Sequence, residues 1–172
     1  DRAAADGVTC SVCHHIEKTG LGTDATFVGN VVIAKPVQNN LRPEYGPFDI
    51  GKGHQTVMHS STATYFPTRG DHIRDAGLCG SCHTLVTSAL GPKGEKLARF
   101  PEQMPFQEWQ HSDFEKEARS CQSCHMPKAA GPIRIASVLG DPRDSLARHV
   151  FVGGNAHMLR LLNRYRTELG WT

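Results

Sequence analysis

The sequence predicts a mostly α-helical fold with extensive irregular loops and one small β-hairpin. Prolines and glycines, 10 and 17 of the 172 residues, divide the chain into short segments. A broad apolar face at helical spacing runs through residues 156–169, close to the end of the chain. Hydrophobic residues make up only 38% and aromatic residues 7%, which is lean for one core. We expect a single domain over residues 1–172, or two small lobes.

The first half of the chain carries weak local signals. Residues 27–37 are rich in β-branched side chains around a Gly-Asn turn and predict the hairpin. Residues 39–53 contain several prolines and glycines and predict an irregular loop. Helices are predicted at about 54–64 and about 74–88, and a Gly-Pro pair ends the second of them.

The second half predicts two more helices. Residues 106–118 form an apolar pattern between prolines and the last cysteine pair. Asn155 is a favourable N-cap for the helix at 156–169, and Gly170 fits the position just beyond its end.

All six cysteines lie in three copies of one C-x-x-C-H pattern. The copies are Cys10-Ser-Val-Cys13-His14, Cys79-Gly-Ser-Cys82-His83 and Cys121-Gln-Ser-Cys124-His125. Two thiols at this spacing add to the two vinyl groups of one porphyrin, and the adjacent histidine then ligates the iron. A redox dithiol or a Cys₄ zinc site gives no reason for a histidine after each pair. The pattern therefore predicts three covalently attached haem c groups, around which the helices and loops would wrap.

Haem also accounts for the lean composition and changes the charge. Each porphyrin offers apolar surface, and its burial is favourable at roughly 25 cal/mol per Å². The formal charge is +2 and the pI is 8.3, but six propionates would make the loaded protein acidic. No Lys/Arg-rich run is present, so nucleic-acid binding is not indicated. Arg143 and Arg148 are candidate partners for propionates, or else solvated surface charges.

Each iron needs a second axial ligand. Ten histidines less the three in the motifs leave seven: His15, His54, His59, His72, His111, His149 and His157. Three of them would complete bis-histidine ligation. His15 is the weakest candidate, because it cannot reach the far face of the haem held by His14, although another haem is open to it. Methionine is the other usual ligand, but it is also an ordinary core residue.

The order of these features resembles the multihaem cytochrome c proteins related to the cytochrome c554 family. The resemblance covers most of the chain. It is carried by Gly7-Val8-Thr9-Cys10, Gly46-Pro47-Phe48 before His54, Leu78-Cys79-Gly80, Glu108-Trp109 with Ser112, Cys121 to Pro127, and His149 to Asn155. It implies that His149 and His54 are distal iron ligands. We take His59 as the third candidate, ahead of His157, His111 and His72. Members of the family often carry a further C-x-x-C-H upstream. This chain is therefore either a three-haem variant or part of a longer multihaem chain.

The motifs and the resemblance predict an electron carrier rather than an enzyme. Three closely packed, mainly bis-histidine haems would pass electrons to redox partner proteins, among them other multihaem cytochromes. Two alternatives stay open. One is an enzyme acting on small nitrogen compounds at a five-coordinate haem. The other is a subunit of an extracellular haem conduit, in which the chain forms a homo-oligomer or filament.

Covalent haem attachment takes place outside the cytoplasm. The sequence therefore predicts a periplasmic or extracellular protein whose export leader has been removed. It contains no stretch of 18 apolar residues, so no transmembrane segment is expected.

Overall fold

The computed structural model describes residues 7–62, 65–153, 156–168 and 170. In this part of the chain the helices are α1 Cys10–His14, α2 Lys52–Thr62, α3 Ala76–Gly80, α4 Pro105–Gln110, α5 Asp113–Lys116, α6 Cys121–His125 and α7 Ala156–Arg164, with 3₁₀ turns at Gln38–Asn40 and Asp71–Arg74. The strands are β1 Arg42–Gly46, β2 Tyr65–Arg69, β3 Leu85–Leu90, β4 Lys96–Gln103, β5 Ile133–Arg134 and β6 Pro142–Arg143.

The prediction of a mostly α-helical, haem-wrapped fold is wrong. Only 31% of the structure is helical, and 21% is strand, arranged in small sheets. The described helices are short: α2 has 11 residues and none of the others exceeds nine. Each described helix ends after one to three turns, so helical segments do not dominate.

The predicted hairpin at residues 27–37 is also wrong. The segment lies wholly within the described residues and forms no two-stranded ladder with itself, and it bonds instead to residues that are distant in sequence. Ile33 forms an isolated antiparallel bridge with Ile16. The amide nitrogen of Ala34 donates to the carbonyl of His15 at 2.7 Å, and that of Gly29 to the carbonyl of Ser81 at 2.8 Å. The segment thus joins the first and second cysteine motifs.

The longest hairpin among the described residues begins inside the segment that was predicted to be a helix. The helix predicted at 74–88 stops at Gly80, and the chain continues as β3, antiparallel to β4. A tight turn closes the pair: the amide nitrogen of Gly91 donates to the carbonyl of Glu95 at 2.8 Å. Gly94 in this turn has φ of 78°, which suits glycine. Pairing with residues 96–103 overrides the local helical pattern.

The remaining elements agree in part with the predictions. The helix expected at 54–64 is present as α2. It connects β1 to β2, which pair in parallel, so the predicted loop at 39–53 contains a strand. The helix expected at 106–118 is divided into α4 and α5. The C-terminal helix begins at Ala156 as predicted and ends at Arg164, whereas Asn155 and Leu169 lie outside the described residues.

Apolar side chains of the described residues form only a small core. The buried ones are Ile16, Ala34, Ala76, Leu78 and Phe106. The polypeptide exposes 12564 Å², whereas a compact monomer of 18.8 kDa is expected to expose about 8,300 Å². Large apolar side chains are among the exposed ones, including Leu97, Phe100 and Phe151. No described helix is both long and apolar enough to cross a membrane.

Candidate haem-binding sites

Each cysteine motif lies on, or at the end of, a helical turn. The first and third motifs are α1 and α6, and the second begins in α3 and continues past it. The amide nitrogen of His83 donates to the carbonyl of Cys79 at 2.8 Å, which extends the helical hydrogen bonding through that motif. Helical spacing places residues i and i+3 on the same face. Both thiols of a motif therefore face one side, as attachment to a single porphyrin requires.

The three motifs meet. The thiol of Cys79 interacts with that of Cys121: their hydrogen bond raises the pKa of Cys79, which burial raises further, and lowers the pKa of Cys121 to about 7. Burial, followed by the nearby Cys82 and Cys10 thiols, raises the pKa of Cys13. All six cysteines are free of disulfide bonds. Thiols from three separate parts of the sequence therefore share one region.

A glutamine inside the third motif fastens it to the second. The side-chain amide of Gln122 donates to the carbonyl of Asp75 at 2.8 Å and to that of Ile73 at 3.1 Å. The Asp75 carboxylate in turn accepts from the amide nitrogen of Gly77 at 2.8 Å and caps α3. This contact fixes α6 against the start of α3.

Two of the motif histidines are oriented by main-chain carbonyls. Nδ1 of His14 lies 2.5 Å from the carbonyl oxygen of Tyr45, and Nδ1 of His125 lies 2.7 Å from that of Val152. An Nδ1–H that donates to a carbonyl fixes the tautomer in which Nε2 has a free lone pair. Metal-ligating histidines are commonly held in this way. Both imidazoles therefore suit iron ligation through Nε2.

His149, a predicted distal ligand, lies opposite His14. The centroids of the two rings are 6.1 Å apart, and the ring planes are inclined by 30°. A metal–imidazole nitrogen bond is about 2 Å and a ring centroid lies about 1 Å behind its nitrogen, so two imidazoles on one metal have centroids about 6 Å apart. The observed separation fits a pair of axial ligands on a single iron.

The other two predicted distal ligands are placed differently. Nε2 of His54 contacts the carbonyl oxygen of Leu139, and iron binding through Nε2 would require that contact to open. His54 lines a cavity of about 530 Å³ together with Gly51, Gly53, Arg134, Leu139, Gly140 and Asp141. Nε2 of His59 is buried and lacks a hydrogen-bond partner within the described structure. A buried nitrogen of this kind needs an explanation, and a bound metal is one.

Two of the remaining histidines with described side chains contact main-chain carbonyls, one distant in sequence and one local. Nε2 of His72 lies 2.8 Å from the carbonyl of Ile16, and Nδ1 of His111 lies 2.7 Å from that of Gln107. The side chain of His157 lies outside what the structure describes. None of these contacts gives a reason to rank His72 or His111 higher as an iron ligand.

His15, the weakest ligand candidate from the sequence, is buried in the structure. It is 5% exposed, and its Nε2 has no partner among the described groups. Its ring lies 5.0 Å from that of Tyr65, and burial lowers its pKa, favouring the neutral imidazole. Its position next to the first motif was the available signal. Its burial depends on β1 and β2, which no local pattern predicted.

Comparison with known proteins gives no match: no protein-family model, curated protein or solved structure is similar to this chain. The resemblance to the cytochrome c554 family therefore rests on the residues quoted above. Among the described residues, no group of three or more His, Cys, Asp and Glu side chains gathers as a metal site. A haem iron takes only two axial ligands from the protein, so a bis-histidine site does not call for such a group.

Proposed function

We propose that this chain is a three-haem c-type cytochrome that transfers electrons. The observation that carries the proposal is the linkage of the three C-x-x-C-H motifs. Gln122 of the third motif donates to the carbonyls of Ile73 and Asp75, just before the second motif. The segment 27–37 donates both to His15, beside the first motif, and to Ser81 of the second. Attachment points this close place the porphyrins near one another. Short distances between cofactors are what electron hopping needs.

The chain contributes ligation, orientation and burial. The bound haem supplies the ferric–ferrous couple. His14, with its tautomer set by the Tyr45 carbonyl, and His149 would hold one haem iron. His125, held by the Val152 carbonyl, would hold the iron at the third motif. The exposed surface in excess of a compact chain would accommodate the porphyrins.

Intact mass and a haem-specific spectrum of the exported protein test this function directly. The expected mass is the polypeptide plus three haems, and the reduced protein should give the spectrum of bis-thioether haem. Low-temperature EPR of the oxidised protein should show mainly low-spin ferric signals. A mass equal to bare polypeptide, or to polypeptide plus zinc, would exclude the proposal.

A second candidate function, catalysis at one open haem, is favoured by the surroundings of the second motif. His83 is exposed, and a cavity of about 420 Å³ begins at Thr84, directly after it, and includes Arg99 and Gln107. A five-coordinate haem beside such a cavity could bind a small nitrogen compound. A substantial high-spin EPR signal that changes when nitrite is added would favour this function over simple electron transfer.

The setting of the protein follows from the same proposal. Covalent haem attachment places it in the periplasm or at the cell surface. Its partners would be redox proteins, including other multihaem cytochromes or further copies of this chain in a conduit. Reduction of the loaded protein by a purified multihaem cytochrome, followed by stopped-flow absorbance, measures whether such a partner is competent.

A further inference from the structure

Two arginine side chains meet over one aromatic ring. Cζ of Arg143 lies 4.6 Å from the centroid of Phe48, and Cζ of Arg74 lies 5.5 Å from it. Both distances are within the range of a cation–π contact, and they place the two guanidinium carbons at most about 10 Å apart. Arg143 is also fixed by donating to the carbonyl of Asp49 at 3.3 Å. The Phe48 ring is thus in contact with two like charges.

Arg69, a third arginine nearby, has carboxylate partners that Arg74 and Arg143 lack among the described residues. Arg69 forms ion pairs with Asp49 at 2.5 Å and with Asp71 at 3.0 Å. In the part of the chain that the structure describes, neither Arg74 nor Arg143 forms an ion pair with a carboxylate. Two unpaired guanidinium groups on one ring repel each other, and a planar anion would relieve that repulsion.

The pair lies between the His54 cavity and the third motif. Arg143 is two residues beyond Asp141, which lines that cavity with Arg134. Arg74 lies between Ile73 and Asp75, whose carbonyls both accept hydrogen bonds from Gln122 of the third motif. Arg148, the other arginine that the sequence singled out, is exposed, and its amide nitrogen donates to the carbonyl of Pro127 at 3.0 Å.

We propose that Arg74 and Arg143 bind the two propionate carboxylates of the haem attached at Cys121 and Cys124. This inference rests on the proposed function. A haem carries both carboxylates on one edge, and a guanidinium group binds a carboxylate through parallel N–H donors. Two guanidinium groups in contact with one ring can bind the two carboxylates on one haem edge. Gln122 of the third motif bonds to the residues on either side of Arg74, which places this arginine near the third motif.

The test uses the variants Arg74→Gln, Arg143→Gln and the double variant, with Arg69→Gln as the matched control. Arg69→Gln removes the same charge from the same neighbourhood, but from a side chain that already has carboxylate partners. Haem content is measured first by intact mass. The three midpoint potentials are then measured by spectroelectrochemical titration at low salt, where charge effects are least screened.

The expected result is that every variant retains three haems while one potential falls in the Arg74 and Arg143 variants. The fall has a simple cause: removing a cation beside a haem favours its ferric state. The double variant should show the largest fall, Arg143→Lys a partial one, and Arg69→Gln the smallest. The affected haem should be the one that is missing when Cys121 and Cys124 are both replaced by alanine.

The remaining outcomes separate this inference from the proposed function. Three haems with potentials that change no more than in Arg69→Gln would overturn the propionate role and leave the cytochrome proposal standing. A fall confined to another haem would overturn the assignment to the third motif. If inorganic phosphate shifts the wild-type potential and the double variant does not respond, the arginines bind a free anion and not the propionates. A wild-type protein without haem would instead overturn the proposed function.

Discussion

The first and second cysteine motifs share one five-residue pattern but lie in opposite surroundings. At the first motif, His14 is held by the Tyr45 carbonyl and faces His149, while the helix α1 contains no buried residue. At the second motif, α3 is mostly buried, whereas His83 is exposed. The second motif therefore anchors the polypeptide, whereas the first motif orients a candidate iron ligand. Substitutions near the first motif should mainly change ligation, and those near the second should mainly change stability.

Loss of the His149 imidazole should produce the largest change at the first motif. We expect His149→Ala to convert one low-spin haem to high spin, or to shift its potential strongly if another ligand takes over. EPR and potentiometry of the oxidised protein measure both. The matched control is His111→Ala, because His111 has a local contact with Gln107 and no motif histidine as a ring partner. Equal, unchanged spectra for both variants would remove His149 from the ligand set.

The three candidate attachment motifs can be recognised in the sequence because covalent haem attachment would fix their spacing locally. The cysteines and histidines of a motif lie within five residues, and no tertiary contact is needed to recognise them. The position of His149 relative to His14 was different: the sequence suggested His149 as a candidate ligand, but its contact with the His14 ring became visible only in the folded chain. The Tyr45 and Val152 carbonyls could not be predicted at all, since every residue carries the same main-chain group.

The errors in the fold have a related cause. The segment 27–37 has a strong local β preference, yet three of its main-chain amides donate to His15, Ser81 and Thr84, in or beside the first and second motifs. Residues 85–90 follow a helical segment, yet they pair with 96–103. In both cases a long-range partner decided the structure against local propensity. Because the core is small, local packing constrains these segments little, and long-range pairing can decide their structure.

At the second motif, we expect a substitution to change stability more than ligation. Phe106 is 4% exposed and packs on Gly80, where an added Cβ would lie 2.5 Å from its ring. We expect Phe106→Ala to lower the free energy of unfolding by about 3–5 kcal/mol, measured by urea denaturation of the loaded protein. Phe114→Ala is the matched control, because Phe114 is 48% exposed. Similar losses in both variants would mean that the second motif does not anchor the core.

The smallest expected effect concerns the residue whose carbonyl holds His14. Burial, and then the Glu17 carboxylate, raise the pKa of Tyr45 to about 12, against an ordinary value of about 10. Because the pKa is raised on folding, the stability contributed by the neutral phenol is complete below about pH 10 and is lost as the pH rises towards 12. The variant Tyr45→Phe keeps the ring and the carbonyl, so its stability should fall less over this interval. Urea midpoints from pH 9 to pH 11.5 measure the difference, with Tyr165→Phe as the control at an exposed tyrosine. Parallel pH curves for wild type and Tyr45→Phe would show that this phenol titrates normally, whereas the hydrogen bond from His14 to the Tyr45 carbonyl, and the contrast between the two motifs, would stand.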